Sequence, residues 1–265
     1  MAPAASPPEI SYDPEFFAPI AATEDRHFWF RARRRILEAL LRQLAPTLPE
    51  PVRVLEVGSG TGNVTQTLVE VFGAGAVTAM EAHGAAVAIA RRRLPCDVRE
   101  GDLHAPPVEG PFGLVGMFDV LEHIDDEAMA LERTFSLVAP GGALLLTVPA
   151  HQSLWSHFDV VAGHHRRYDV AALRAALERA GFTVEYVTEF FGLLYPAVWL
   201  GRRVSRLRRR TSDRDKVMSE LRTVPLVNEV LAWALEREVP RIAERRRQRL
   251  GTSIVAIARR PLERP

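Results

Sequence analysis

The feature that most restricts this chain is a glycine run at the end of a short apolar stretch. Val52 to Val57 reads VRVLEV, a strand with β-branched bias, and Gly58-Ser59-Gly60-Thr61-Gly62-Asn63 follows it directly. Helical periodicity begins near Thr61 to Val64 and runs to Phe72. A strand that gives way to alternating glycines and then a helix can turn through positive φ and bring its backbone close to a ligand. Ligands of open α/β sheets sit at that place, beyond a strand's carboxyl end and at a helix N-terminus. The pattern predicts a nucleotide-type binding turn, with a plain tight β–α turn as the alternative.

The rest of the chain repeats the strand–helix alternation. A helix is predicted over 24–46, where Ile36, Leu37, Leu40, Leu41 and Leu44 recur at helical spacing and Pro46 stops the run. Strands are predicted over 77–80, 96–99, 112–118 and 143–148, and helices over 85–94 and 126–138. Such alternation argues an α/β fold, a parallel sheet covered by helices on both faces. The Ala- and Pro-rich stretch 1–23 is expected to be a flexible segment, and 24–265 a single domain. No apolar run approaches the roughly 20 residues of a spanning helix. No signal peptide is expected, and the single cysteine, Cys96, cannot close an intramolecular disulfide, so a cytoplasmic location is expected.

Two acids sharpen the reading of the glycine turn. The spacing is G-x-G-x-G rather than the G-x-G-x-x-G of dinucleotide sites. Glu56 stands just before it, where a carboxylate would repel a pyrophosphate but suits a cationic ligand. Roughly 20 residues on, Glu81 ends the second strand, the offset at which a carboxylate can bond ribose hydroxyls.

These residues resemble the class I S-adenosylmethionine-dependent methyltransferases. EVGSGTG is similar to their first motif, and Glu81 after VTAM to their ribose-gripping acid. Gly101-Asp102-Leu103 resembles the motif whose Asp faces the adenine amino group, and FDVLEHI (118–124) the run after their fourth strand. Pro140-Gly141-Gly142 resembles the turn into the fifth strand. His27 to Arg33 and Gly163 to Tyr168 are similar to the H-W-W-F-x-x-R and G-H-x-R-R-Y elements of a bacterial small-molecule subgroup. The resemblance implies a Rossmann-like, doubly wound seven-stranded sheet with a final antiparallel strand near Thr252 to Arg260. It also implies S-adenosylmethionine as cofactor, held by Glu56, Gly58, Ser59, Gly60, Gly62, Glu81, Ala82, Asp102, Leu103, Asp119, Val120 and Arg33. One departure is Gly113, where the family carries Asp.

The remaining candidates concern the acceptor. His123 is a candidate general base, since imidazole titrates near neutral pH, or a support for its loop. His165 and Tyr168 are candidates for orienting or deprotonating an acceptor, and Arg166 and Arg167 for binding an anionic group. No metal site is expected. Trp29, Phe30, Arg31 and Arg33 could form a lid. Residues 190–250 read as a helical insertion before the last strand. Within it the apolar Phe190 to Leu200 precedes six arginines (Arg202, Arg203, Arg206, Arg208, Arg209, Arg210), a pattern open to peripheral membrane contact or to a pocket wall. A net charge of +1 and the absence of an N-P-P-Y motif argue against nucleic acid. The expected function is methyl transfer to a small-molecule or lipid- or glycan-linked acceptor, at oxygen. A cofactor-binding protein without transfer and an RNA-directed methyltransferase are the alternatives. Oligomeric state is not legible.

Overall fold

The computed structural model describes residues 14–205 and 224–262. Seven strands make one sheet: β1 (Val54–Val57), β2 (Val77–Glu81), β3 (Asp97–Glu100), β4 (Phe112–Phe118), β5 (Val138–Pro149), β6 (Thr183–Phe190) and β7 (Ser253–Arg259). Their order is β3-β2-β1-β4-β5-β7-β6. The β1–β2, β1–β4, β2–β3 and β4–β5 pairs are parallel, while β7 runs antiparallel between β5 and β6. The expected seven-stranded, mostly parallel sheet with an antiparallel last strand is present.

Strand alternation decides why the sheet has two covered faces. Every residue of β1 and β4 is buried. Leu114, Leu145 and Ile257 point to one face, where Ile36, Leu40 and Leu44 of α2 (Phe28–Leu44) and Leu68 of α3 (Asn63–Phe72) cover them. Val115, Leu144 and Ala256 point to the other, onto Leu131 and Phe135 of α5 (Glu127–Leu137) and Leu177 of α7 (Val170–Arg179). Continuous apolar strands of this kind need helices on both sides. α4 (Gly84–Arg93) packs beside β3 through Val87, Ala90 and Val98.

Gly113 finds its reason in β4. A Cβ there would come within 3.3 Å of the Pro49 carbonyl, so a larger side chain would have to displace the chain entering β1. β5 begins earlier than predicted, at Val138, because Val138 already pairs with Phe112; the register shifts across Pro140-Gly141-Gly142 before pairing resumes between Leu114 and Ala143.

The N-terminal boundary also differs from the sequence reading. α2 starts at Phe28, with the His27 ring accepting from the Trp29 N–H at 3.2 Å. Before it, α1 (Phe17–Thr23) occupies part of the stretch expected to be flexible. Its order has local causes: Phe16 and Phe17 are buried, and Phe17 lies 5.1 Å from the His83 ring. Arg93 ties the following turn down through Glu24 and Asp25.

After β5 the chain forms α6 (His157–Val161), and Asp159 within it organises the loop. Its buried carboxylate meets His164 Nδ1 at 3.0 Å, Arg167 Nε at 2.7 Å and Arg202 Nη1 at 3.0 Å. Burial pushes this carboxyl up, but the His164 hydrogen bond and the Arg167 and Arg202 charges outweigh it and hold it below the usual range. Arg202, first of the run read as a basic surface, is thus an internal partner. Phe190 and Phe191 of the same stretch are fully buried. Arg206, Arg208, Arg209 and Arg210 lie outside the described residues. Between β6 and β7 stand α8 (Tyr195–Ser205), α9 (Pro225–Glu236) and α10 (Val239–Ala243). No helix among the described residues is long and apolar enough to cross a membrane.

Removing Asp159 would leave His164 and two guanidinium groups without their shared anion. Asp159→Ala should cost about 3–5 kcal/mol in denaturant unfolding, the range for a broken buried ion pair. A loss under about 1 kcal/mol, the scale of a surface pair, would remove Asp159 from this role.

Candidate active site

Sheet order reverses between β1 and β4, and the crevice of a doubly wound sheet opens at that switch point. The glycine turn leaves β1 there. Gly58, Gly60 and Gly62 have φ of 68°, 54° and 92°. Gly58 is also a close-approach position: a Cβ would lie 2.5 Å from Val120 Cγ2, just past the end of β4. A Cβ on Gly60 would meet nothing within 4 Å, so this part of the turn faces the cleft.

The acids around the turn are held differently from one another. Glu81 accepts from the Gly60 N–H at 2.7 Å and from the His83 N–H at 2.8 Å, one bond to each oxygen. It therefore ties the glycine turn to the end of β2 and keeps lone pairs for a diol. Asp102 accepts from the His104 N–H at 2.8 Å with Oδ1. Glu56 is buried and accepts from the Thr65 hydroxyl. Burial pushes its carboxyl up to about 8, against the Thr65 hydrogen bond and the Arg33 charge. A cationic ligand group beside it would favour the ionised form.

Arg33 reaches the opposite wall. It pairs with Asp119, and its guanidinium carbon lies 4.7 Å from the Trp29 ring centroid. Asp119 itself has φ of 58°, uncommon for a non-glycine residue, and is held just past the end of β4 by its N–H to the Thr147 carbonyl of β5, 2.9 Å. Phe17, Ile20, Glu24 and Phe30 complete this wall, so α1 and the start of α2 border the cleft. Glu24 is joined to the turn by the Thr61 hydroxyl at 2.7 Å.

The structure brings Glu56, Gly58, Ser59, Gly60, Glu81, Ala82, Asp102, Leu103, Asp119, Val120 and Arg33 into one cleft of about 1050 Å³. His123 and His165 also line it. Gly62 stands behind the turn, where a Cβ would press on Leu94 at 2.8 Å. Tyr168 is the exception: it is buried in the core under α5 and α7, and burial pushes its phenol up. Its backbone bridges to Ala150, so it anchors the loop and does not face an acceptor.

His123 and His165 differ in character. Burial, reinforced by His164, pushes the His123 imidazole down to about 3. It is neutral at neutral pH and a weak base, which counts against the base reading. The His165 side chain is about one-third exposed; its backbone is fixed by its N–H to the Glu122 carbonyl at 2.7 Å, with Asp125 3.6 Å from the ring. Glu122 is fully buried, and neither carboxylate oxygen has a hydrogen-bond partner. Burial and the Asp119 charge push it well above the ordinary carboxylate range. Glu122, His123 and His164 bring potential ligand atoms within 4.8 Å of one another. Of these, His164 Nδ1 is already engaged by Asp159 at 3.0 Å.

Sequence reasoning missed Phe17, Ile20 and Glu24 because they precede the strand–helix repeat. Asp159 gave no local signal either, since Arg167 and Arg202 lie 8 and 43 residues away from it.

Residues 28–187 match the family model described as the methyltransferase domain. The chain therefore belongs to the methyltransferase-domain family. A Mycolicibacterium smegmatis protein named for S-adenosylmethionine-dependent methyltransferase activity is 30% identical over 63% of this chain and 63% of its own length. The malonyl-[acyl-carrier protein] O-methyltransferase of Halorhodospira halophila is 30% identical over 57% and 55%. The chain thus spans between half and two thirds of the length of these relatives. The fold is shared with Haemonchus contortus phosphoethanolamine N-methyltransferase 2, solved with S-adenosylhomocysteine, at a TM-score of 0.60 and 18% identity, over 96% of this chain and 59% of that one. The cofactor of the family, S-adenosylmethionine, fits the cleft's donors. Ser59 Oγ and Arg33 Nε are buried there without partners, and the acids suit a ribose and a cationic amino acid.

Glu81→Ala should weaken S-adenosylmethionine binding by about 1–3 kcal/mol in calorimetry, with Glu81→Gln retaining part of the affinity. Binding of NADH in its place would remove the cofactor assignment. A cation beside Glu56 lowers its carboxyl from about 8, so binding near neutrality should expel a proton and tighten as pH rises toward that value. Titrations in buffers of unequal ionisation heat count the proton, and identical heats would mean that Glu56 is already ionised. Glu122 bears on stability instead. Its folded-state pKa is raised, so its contribution is full below the unfolded value of 4.5 and is lost as pH climbs above it. Glu122→Gln should raise Tm relative to the parent more at pH 8 than at pH 5. The reverse order would give Glu122 a charged role.

Proposed function

We propose that the protein transfers the methyl group of S-adenosylmethionine to an oxygen of a small-molecule or lipid- or glycan-linked acceptor. The observation that carries this is the breadth of the cleft's lining. It takes in Glu56, Glu81 and Asp102 around the glycine turn, and also His123, Ile124, Met129 and His165 from beyond β4. A volume of about 1050 Å³ is at the upper end for a single small ligand and leaves room for a second. The sulfonium supplies a methyl group already activated for displacement.

The chain's own residues then have to hold an acceptor oxygen in line and deal with its proton. Alignment alone supplies a large part of the rate. His165 is a ring of the cleft lining that solvent also reaches, and Asp125 lies 3.6 Å from its Nδ1. Neutral His123 can only orient. Met129 and Ile124 add apolar surface for the body of the acceptor. An oxygen acceptor is supported by the O-methyltransferase named among the relatives. RNA is disfavoured because the cleft mouth carries Asp125 and Asp126, both exposed, which would repel phosphates.

A transfer assay with labelled S-adenosylmethionine on lipid, glycan, small-molecule and RNA fractions tests this reading. Label in RNA alone, or in no fraction while the cofactor binds, would replace it by one of the alternatives. Once an acceptor is known, His165→Ala should lower kcat roughly 10²-fold, the lower range for acid–base help, while cofactor affinity stays within about twofold. A loss of cofactor binding would move His165 to a structural role.

A further inference from the structure

α9 is apolar on two opposite sides, and the protein uses one of them. Asn228, Ala232 and Leu235 are buried against α2 and its surroundings. Asn228 fixes the docking, accepting from the Phe28 N–H at 2.8 Å and donating to the Arg26 carbonyl at 2.9 Å. Leu226, Val230 and Trp233 lie two residues from these, about 200° around the helix. They are 78%, 55% and 58% exposed. Val227 is exposed beside them. Among the described residues, a stripe of this composition on a docked helix has no packing partner.

The charges around the stripe say what fits it. Glu229, one turn from both Leu226 and Trp233, is paired with Arg31 at 2.7 Å, so the carboxylate at the edge of the stripe has its counter-charge. The stripe ends at Arg237, whose guanidinium lies 3.7 Å from the Trp233 ring centroid. Exposed Arg241 and Arg247 follow, while Arg245 and Arg246 are paired with Glu185 and Glu244. Pairing with a second copy across an antiparallel two-fold would set Arg237 against the partner's Leu226 end. Among the described residues that end reads Val224-Pro225-Leu226-Val227, and its nearest carboxylate, Glu229, is already paired with Arg31, so the guanidinium would meet no free counter-charge. Lipid phosphates supply the missing anion, and a tryptophan flanked by arginine suits the boundary between headgroups and acyl chains.

We infer that α9 docks the protein on an anionic bilayer surface. Leu226, Val230 and Trp233 enter the headgroup–acyl boundary, and Arg237, Arg241 and Arg247 meet the phosphates. The sequence left 190–210 open to a membrane contact or a pocket wall. There, Phe190 and Phe191 are core and Arg202 is bound to Asp159. The docking does not depend on methyl transfer, although α2 carries Phe30 and Arg33 into the cleft from the same end that holds Asn228.

Co-sedimentation with vesicles of equimolar phosphatidylcholine and phosphatidylglycerol, against phosphatidylcholine alone, decides it. Binding should need the anionic lipid and fade with salt. Trp233→Ala should lower the partition constant roughly tenfold, as for loss of one large buried apolar side chain. Leu226→Glu with Val230→Glu should abolish binding while circular dichroism and cofactor affinity stay unchanged, since both positions are exposed and away from the cleft. No binding to anionic vesicles, or binding that survives the double substitution, overturns the inference. So does a concentration-dependent dimer that the double substitution dissolves, which would give the stripe to a second copy.

Discussion

The ends of β1 and β4 approach each other because residue 58 has no side chain. Val120 occupies the volume that a Cβ would need, so the turn after one strand and the turn after the other lock together. Everything chemical in the cleft is placed from this contact. Glu56 comes from the strand below it, Asp119 from the residue before Val120, and Glu81 reaches across from β2 to hold Gly60. The positive φ values of the three glycines are the backbone expression of the same constraint.

Closing the cleft this tightly gathers carboxyl groups in a buried place. Glu56, Glu81, Asp119 and Glu122 all sit at the carboxyl edge of the sheet, with Arg33 the cation paired to one of them. The molecule resolves the repulsion in three ways. Glu81 is satisfied by backbone N–H groups, Asp119 by Arg33, and Glu56 and Glu122 by favouring the protonated form. A buried carboxyl that protonates avoids the large cost of an unpaired charge. It also leaves Glu56 ready to respond to a cationic ligand, which a carboxylate already paired with arginine could not do as strongly.

Much of this was legible in the sequence, and the rest was hidden for identifiable reasons. The sheet follows from β-branched runs separated by helical spacing, and the cofactor residues sit at strand ends, where the chain order of motifs reports their position. Side chains whose partners are remote in sequence gave no such report. Asp159 sits in a loop beside histidines that looked catalytic, yet its role comes from Arg202 far along the chain. Tyr168 carried a plausible phenol, and only the packing of α5 and α7 shows it to be core. The apolar Phe190-Phe191 pair before a run of arginines looked like surface, because sequence cannot tell that β6 ends there beneath α2. Exposed apolar residues on α9 were equally invisible, since the helix has apolar positions on both sides.

α2 connects these places, and its periodicity explains how. Phe30 and Arg33, three residues apart, share the face that borders the cleft. Phe28 and Arg31, again three apart, face α9 through Asn228 and Glu229. Ile36, Leu40 and Leu44 carry the same helix down onto the sheet. Core packing seats this helix along its length, so its cleft face and its α9 face hold one orientation relative to each other. Arg33 adds a restraint, since its charge is met by Asp119, just past the end of β4, and its plane by Trp29. The wall of the cleft and the platform for α9 are in this sense one element.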